Sequence, residues 1–325
     1  MLLLSEAEVR EVLPMPDLID GMQTALAAFS TGEAQQPLRT VLEVGSAKAF
    51  FGVMPAFMPR SGALGTKLVT VFGSNAAIGL PTHLATIVLL DPTTGALICV
   101  MDGRYITEAR TAAVSAVSVK LLAREDAGVL AIIGTGVQAR SHLEAIAHVR
   151  SLREVRVWSP TESHRERFAE NARVLTAAPV RVASDARSAV AGADLIALTT
   201  ASREPVVESS WIADGAHICA VGACRPDQRE MSTELVRKAT LFVDSRTSAL
   251  AEAGDVVLPI KEGAFDATHI AAELGDVAAG RMNGRSQSTE VTVFKSLGMA
   301  VEDLAAAHMA YQRAQARGIG RTSAL

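Results

Sequence analysis

Cysteine is scarce in this 325-residue chain: Cys99, Cys219 and Cys224 lie in apolar runs, and none has C-x-x-C spacing. A disulfide framework and a zinc knuckle are thereby excluded, and a reducing, cytoplasmic setting is predicted. Aromatic residues are also few, 4% against 49% apolar overall, so the core must be packed from Ala, Val, Leu and Ile. Such a mixture suits helices laid on a parallel sheet. Basic charge is not in excess: the formal net charge is -4 with Lys and Arg scattered, which leaves no electrostatic footprint for nucleic acid. No apolar run approaches the roughly 20 residues needed to cross a bilayer. The start, Met1-Leu2-Leu3-Leu4-Ser5-Glu6, turns polar too early for a secretory signal, so neither export nor membrane attachment is expected. His142, His148, His164 and His308 fall in helical patterns without ligand spacing, and no metal is expected.

What is present has two rhythms. Ser5 and Glu8 form a capping-box pattern, and Pro16 to Ala28 reads as a helix with Pro in its first turn. β-rich runs follow at Val41 to Val44, Phe50 to Met54, Lys67 to Phe72 and Leu84 to Leu90. The turn Asp91-Pro92-Thr93-Thr94-Gly95 then leads into Ala96 to Met101 as a hairpin. This is the pattern of an α+β domain. From Ala127 short apolar strands alternate with helices. Six are expected: Val129 to Ile133, Glu154 to Trp158, Val180 to Ala183, Leu195 to Thr200, His217 to Val221 and Leu241 to Asp244. They describe an α/β fold with a doubly wound parallel sheet. After Glu290 a long amphipathic helix is expected, with apolar positions at Leu297, Ala300, Val301, Leu304 and Tyr311.

Between a buried-looking strand and a helix lies Gly134-Thr135-Gly136-Val137-Gln138-Ala139, a G-x-G-x-x-G/A fingerprint in the context it requires. Gly134 permits the tight turn, Gly136 lets a pyrophosphate approach the backbone, and Ala139 lets helix pack on strand. A nicotinamide-dependent oxidoreductase of the Rossmann type is the expectation. At the end of the second strand, where NAD enzymes place an acid on the ribose, stand Trp158-Ser159-Pro160-Thr161. With no carboxylate there, and with Ser159, Thr161 and Arg165 as donors, NADP(H) is favoured, NAD(H) being the alternative.

Several longer stretches carry a resemblance: Gly52 to Ala56, Thr66 to Thr70, Ile106 to Ala113, Gly134 to Ala139, Val221-Gly222-Ala223 and Val293 to Ala300. In these the chain resembles the ornithine cyclodeaminase and mu-crystallin family, with wording nearest the ketimine reductase branch. The resemblance implies a split substrate-binding and dimerisation domain over 1–123 plus 294–325, a Rossmann domain over 124–293, and a homodimer. It also implies that Arg39 and Lys67 hold the substrate carboxylate and carry catalysis. Arg110 joins them at the substrate. Thr82, His83, Arg110 and Thr111 match positions at the junction of cofactor and substrate, and Thr200 and Val221 match positions lining the nicotinamide. His83 is assigned a binding or structural role rather than a catalytic one.

The residue chemistry agrees with these roles. An imino acid carries a carboxylate, which a guanidinium grips with bidentate geometry, and an ammonium can pass a proton to nitrogen. Cyclodeaminases and alanine dehydrogenases carry an aspartate at the position of Cys224, and the nearby Asp227 is out of register with it. That departure favours hydride transfer to a preformed C=N bond of a small cyclic ketimine carboxylate, Δ1-pyrroline-2-carboxylate or Δ1-piperideine-2-carboxylate. The alternatives are an ornithine cyclodeaminase or alanine dehydrogenase, and a non-catalytic ligand-binding protein that keeps the fold.

Overall fold

The computed structural model describes residues 1–45 and 49–324. The chain divides into two compact units, Met1–Arg110 with Met299–Leu325, and Thr111–Gly298.

The first unit is built on a seven-stranded sheet. Its strands lie in the order Arg321–Thr322, Leu2–Leu4, Leu97–Asp102, His83–Leu90, Ala63–Val71, Ala49–Met58 and Thr40–Val44. All neighbouring pairs are antiparallel except that of Leu2–Leu4 with Leu97–Asp102. Ala49–Met58 alternates buried and half-buried residues along most of its length, as a sheet with one covered face requires. The cover is the helix Ala300–Arg317, whose Val301, Leu304 and Ala307 are buried. Against that helix packs Met15–Ser30, through Leu18, Met22 and Leu26 at helical spacing. The predicted capping box holds at the first helix, Glu6–Val12: Ser5 N donates to Glu8 Oε2 at 2.8 Å, and Ser5 Oγ accepts from Glu8 N.

The second unit holds an eight-stranded sheet, entirely parallel. Its order is Ile270–Glu273, Thr240–Val243, Thr292–Lys295, His217–Ala220, Leu195–Leu198, Val129–Ile133, Glu154–Trp158 and Val180–Val182. Two of these strands correct the expected six. Ile270–Glu273 adds an edge, and Thr292–Lys295 slots between two strands that would otherwise be neighbours. The segment after Glu290 is therefore strand first and helix only from Ala300. Gly298, at φ 82°, breaks the backbone between them. The boundary expected at 293/294 falls inside this strand. Both faces of the sheet are covered, and the strands alternate between two cores: Ala131 and Ile133 join one, Leu130 and Ile132 the other. Strand order reverses between Val129–Ile133 and Leu195–Leu198, the switch point at which doubly wound sheets bind ligands. Among the described residues no helix is long and apolar enough to cross a membrane.

Candidate active site

Candidate functional residues fall into two groups, one in each unit. In the second unit the strand Val129–Ile133 ends at Gly134, whose φ of 114° is closed to ordinary side chains, and a Cβ there would meet Thr199 Oγ1 at 2.4 Å. Gly136 differs: a Cβ on it would have no neighbour within 4 Å. The space beside it is open. Gly136 is also the N-cap of the helix Val137–Val149, and no side chain caps that end. Gln138 Oε1 is buried without a partner. An open flank, an uncapped helix start and positive dipole together fit a dinucleotide pyrophosphate. Ala139 is fully buried under the helix, as expected. Thr135 Oγ1 donates to the buried Ser159 hydroxyl at 3.1 Å, and the Arg165 guanidinium donates to the Ser159 carbonyl at 2.6 Å. Thr161 is exposed at the N-cap of Glu162–Ala172.

Farther along the same sheet edge, Thr200 and Val221 follow adjacent strands. Both ends are tied by Glu230, a residue with no sequence motif to announce it. Its Oε1 accepts from Thr200 N at 2.6 Å and Thr200 Oγ1 at 2.8 Å; its Oε2 accepts from Gly222 N at 2.8 Å and Ala223 N at 3.2 Å. Burial raises the Glu230 carboxyl, with the Lys295 cation opposing. Lys295, fully buried, donates to Ala223 O at 2.6 Å and lies 3.0 Å from Asp255 Oδ2. Asp255 in turn accepts from Glu230 N and Met231 N. A buried charge network thus fixes the two loops. Cys224 Sγ, at the position where the cyclodeaminase pattern has aspartate, donates to Val221 O at 3.2 Å.

In the first unit the structure brings together Lys67, Arg110 and His83, and adds two carboxylates that sequence reading missed. Lys67 Nζ lies 2.5 Å from Asp303 Oδ2. Arg110 Nε donates to Asp303 Oδ1 at 2.9 Å, and another guanidinium nitrogen to Glu302 Oε2 at 2.7 Å. Lys67, Arg110, Glu302 and Asp303 are all at most 4% exposed. Burial lowers the Lys67 ammonium to about 8, with Asp303 opposing, and burial lowers His83 to about 4, with Lys67 adding to it. Asp303 is pushed up by burial, but the Arg110 and Lys67 cations outweigh this and hold it below its ordinary value. The set is thus an ammonium depressed by burial, a guanidinium, the carboxylate of Asp303 held ionised by both, the Glu302 carboxyl group on Arg110, and an imidazole whose neutral form burial favours. Arg39 is half-buried and directly precedes Thr40, whose register partner is Val53, while Lys67 faces Met54 on the same intervening strand. Two strand spacings, roughly 10 Å, separate their rows. Thr82 is exposed and accepts a backbone bond from Phe72, and Thr111 lies within the helix Arg104–Leu122.

The sequence profile described as "Ornithine cyclodeaminase/mu-crystallin family" matches residues 1–318. The ketimine reductase mu-crystallin of Mus musculus is 46% identical over 312 residues, 95% of this chain and 96% of that protein. Among solved structures, Thermococcus litoralis Δ1-pyrroline-2-carboxylate reductase in complex with NADH and L-proline has a TM-score of 0.97 at 40% identity, covering 99% of this chain and 100% of that one. An archaeal alanine dehydrogenase dimer with bound NAD has a TM-score of 0.95 at 32% identity, covering 100% and 99%. With a match along almost the whole chain, this protein belongs to the ornithine cyclodeaminase/mu-crystallin family.

Proposed function

We propose that this protein is an NAD(P)H-dependent reductase of small cyclic ketimine carboxylates, converting Δ1-pyrroline-2-carboxylate or Δ1-piperideine-2-carboxylate to proline or pipecolate. The observation that carries the reading is the buried ammonium of Lys67 beside Asp303 and Arg110, in a chain 40% identical to a reductase solved with NADH and L-proline. Gly134, Gly136, Val137, Gln138 and Ala139 would hold the pyrophosphate, and Thr200 and Val221 the nicotinamide end. Bound there, the reduced dinucleotide would supply a hydride, two electrons with one proton, for the imine carbon. Lys67 supplies the balancing proton to the imine nitrogen, so that C=N becomes CH–NH, and it is reprotonated from solvent. Arg39, with Arg110, holds the substrate carboxylate. His83, Thr82 and Thr111 shape the junction without transferring protons.

NADP(H) is the preferred cofactor in this reading. Its support is the absence of a carboxylate among Ser159, Pro160 and Thr161, together with an Arg165 guanidinium held at that loop. The substrate-binding and dimerisation role falls to the first unit and the dinucleotide role to the second. A homodimer is supported by the exposed apolar side chains on the first unit, among them Val41, Leu42, Ile78 and Leu80, and by the dimer recorded for the archaeal neighbour. Cys224 speaks against ammonia release, since a thiol bonded to Val221 O replaces the expected aspartate.

Steady-state assays with five- and six-membered imines and both reduced cofactors test the proposal. Turnover of a cyclic imine, with kcat/KM larger for NADPH than for NADH, is the expected result. Binding of dinucleotide and imine without turnover would instead establish a non-catalytic ligand-binding protein.

A further inference from the structure

We propose that Asp303 is a positioning residue: by dividing one carboxylate between the Lys67 ammonium and the Arg110 guanidinium, it keeps Lys67 protonated and fixed in direction. The inference rests on reading Lys67 as the proton donor. Oδ2 lies 2.5 Å from Lys67 Nζ and Oδ1 accepts from Arg110 Nε at 2.9 Å, so neither cation can swing away without unbalancing the other. Asp303 is itself fixed by its place in the first turn of Ala300–Arg317. Glu302 braces that turn, accepting from Arg110 at 2.7 Å and from Met299 N at 3.1 Å.

The charged and titratable groups facing Lys67 come from three elements. Asp303 and Glu302 project from Ala300–Arg317, Arg110 from Arg104–Leu122, and His83 from the neighbouring strand His83–Leu90. With burial favouring neutral His83, the Lys67 and Arg110 cations face the carboxyl groups of Asp303 and Glu302. Removing the charge of Asp303 leaves two buried cations against one carboxylate, and desolvation then presses on both. Guanidinium does not release its proton in a protein, whereas a buried lysine does. The imbalance is therefore relieved at Lys67, which already sits near 8 through burial opposed by Asp303. In Asp303→Asn the amine is mostly neutral at pH 7 and seldom has a proton to give. A structural ion pair alone would move the Lys67 titration and lower stability in such a variant, but would leave the basic limb of kcat/KM where it is in the wild type.

The test is the pH dependence of kcat/KM in the wild type, Asp303→Asn, Glu302→Gln and Asp303→Glu, read beside direct titration of Lys67 by NMR of 13C-labelled lysine. The chain has only six lysines, so the signal lost in Lys67→Arg identifies the residue. In Asp303→Asn the basic limb and the Lys67 titration should both move about two pH units or more toward acid. Activity at pH 7 should fall about tenfold or more, with partial recovery at lower pH and unchanged KM for the dinucleotide. Glu302→Gln should produce a smaller shift, because its closest cation is Arg110. Asp303→Glu keeps the charge but displaces it by a methylene, so titration should stay near that of the wild type while kcat falls several-fold. An unmoved Lys67 titration or an unmoved basic limb in Asp303→Asn overturns the proposal. So does a wild-type kcat in Asp303→Glu, which decides the matter if the Asn variant does not fold. If the wild type reduces no cyclic imine, the functional reading fails on its own, and the NMR titration still decides whether Asp303 keeps Lys67 protonated.

Discussion

Replacing Arg39 by Met removes a guanidinium while keeping much of the side-chain length. If Arg39 pairs with the substrate carboxylate, the loss leaves that group desolvated and unpaired. We expect kcat/KM for a cyclic imino acid to fall on the order of 10²-fold, about 2.7 kcal/mol of transition-state binding, with dinucleotide affinity unchanged. A near-normal kcat/KM in a folded variant would place the carboxylate elsewhere. Lys67 gives a second prediction, with opposite signs for the two directions of reaction. Imine reduction needs the ammonium and should decline as pH rises through about 8; amine oxidation needs the free amine and should climb through the same range. Parallel profiles in both directions would remove Lys67 from proton transfer. The two cations of this cluster were legible because they lie in stretches peculiar to the family. Their counter-ions were not. Glu302 and Asp303 read as acids in the first turn of an amphipathic helix, where charge complements the dipole and is usually solvated. Only the approach of two sheet strands and a second helix turns them into buried partners. Glu230 and Asp255 escaped notice for the same reason, since their partners are loop amides that no linear pattern displays.

The strand-turn-helix around Gly134 and Gly136 was readable at the level of an element because its glycines answer a backbone requirement that survives out of context. Gly136→Val should abolish dinucleotide binding while leaving circular dichroism unchanged, since a Cβ there meets no protein atom within 4 Å and the branched side chain fills the open flank. Wild-type affinity measured by calorimetry would displace the site. The helices on either side are pinned by histidine. His142 Nδ1 donates to Gln138 O at 2.7 Å while Nε2 meets Ser115 Oγ at 2.9 Å; His217 joins Ser118 to Thr292. Burial lowers His142 to about 4 and His217 to about 3, with Arg285 adding to the latter. Groups so depressed contribute stability fully present above about 6.5, and it is lost as pH falls through their folded values. Urea midpoints should therefore drop between pH 6.5 and 4, and less steeply in His142→Gln; equal slopes would assign the acid sensitivity to other groups. The strands Ile270–Glu273 and Thr292–Lys295 were missed at this scale. The first follows a polar loop and a 3₁₀ turn and ends on Glu273, and the second runs into apolar residues that continue a helical spacing.

For the molecule as a whole, the resemblance carried the fold class, and the alternation of strands and helices carried the parallel sheet without it. Oligomeric state was less accessible, because an apolar edge strand looks the same in sequence whether it is covered or bare. Leu42 is 60% exposed on the edge strand Thr40–Val44. Leu42→Asp should convert a dimer to a monomer in sedimentation with little loss of thermal stability, and an unchanged sedimentation coefficient would move the interface away from this edge. The division of the chain has one more consequence, which concerns synthesis. The first unit needs segments from both sides of the second: Arg321–Thr322 pair with Leu2–Leu4, and Ala300–Arg317 carries the acids that neutralise Lys67 and Arg110. The second unit is continuous, from Thr111 to Gly298, so all of its residues have emerged before Met299 is made. On the ribosome the second unit can therefore form first, while the Lys67 and Arg110 charges destined for burial wait, solvated, for the segment after Gly298 to be made. A chain cut short of Met299 would keep those charges in water and leave its first 110 residues open to proteases, so that synthesis of Ala300–Arg317 is itself the step that completes the first unit.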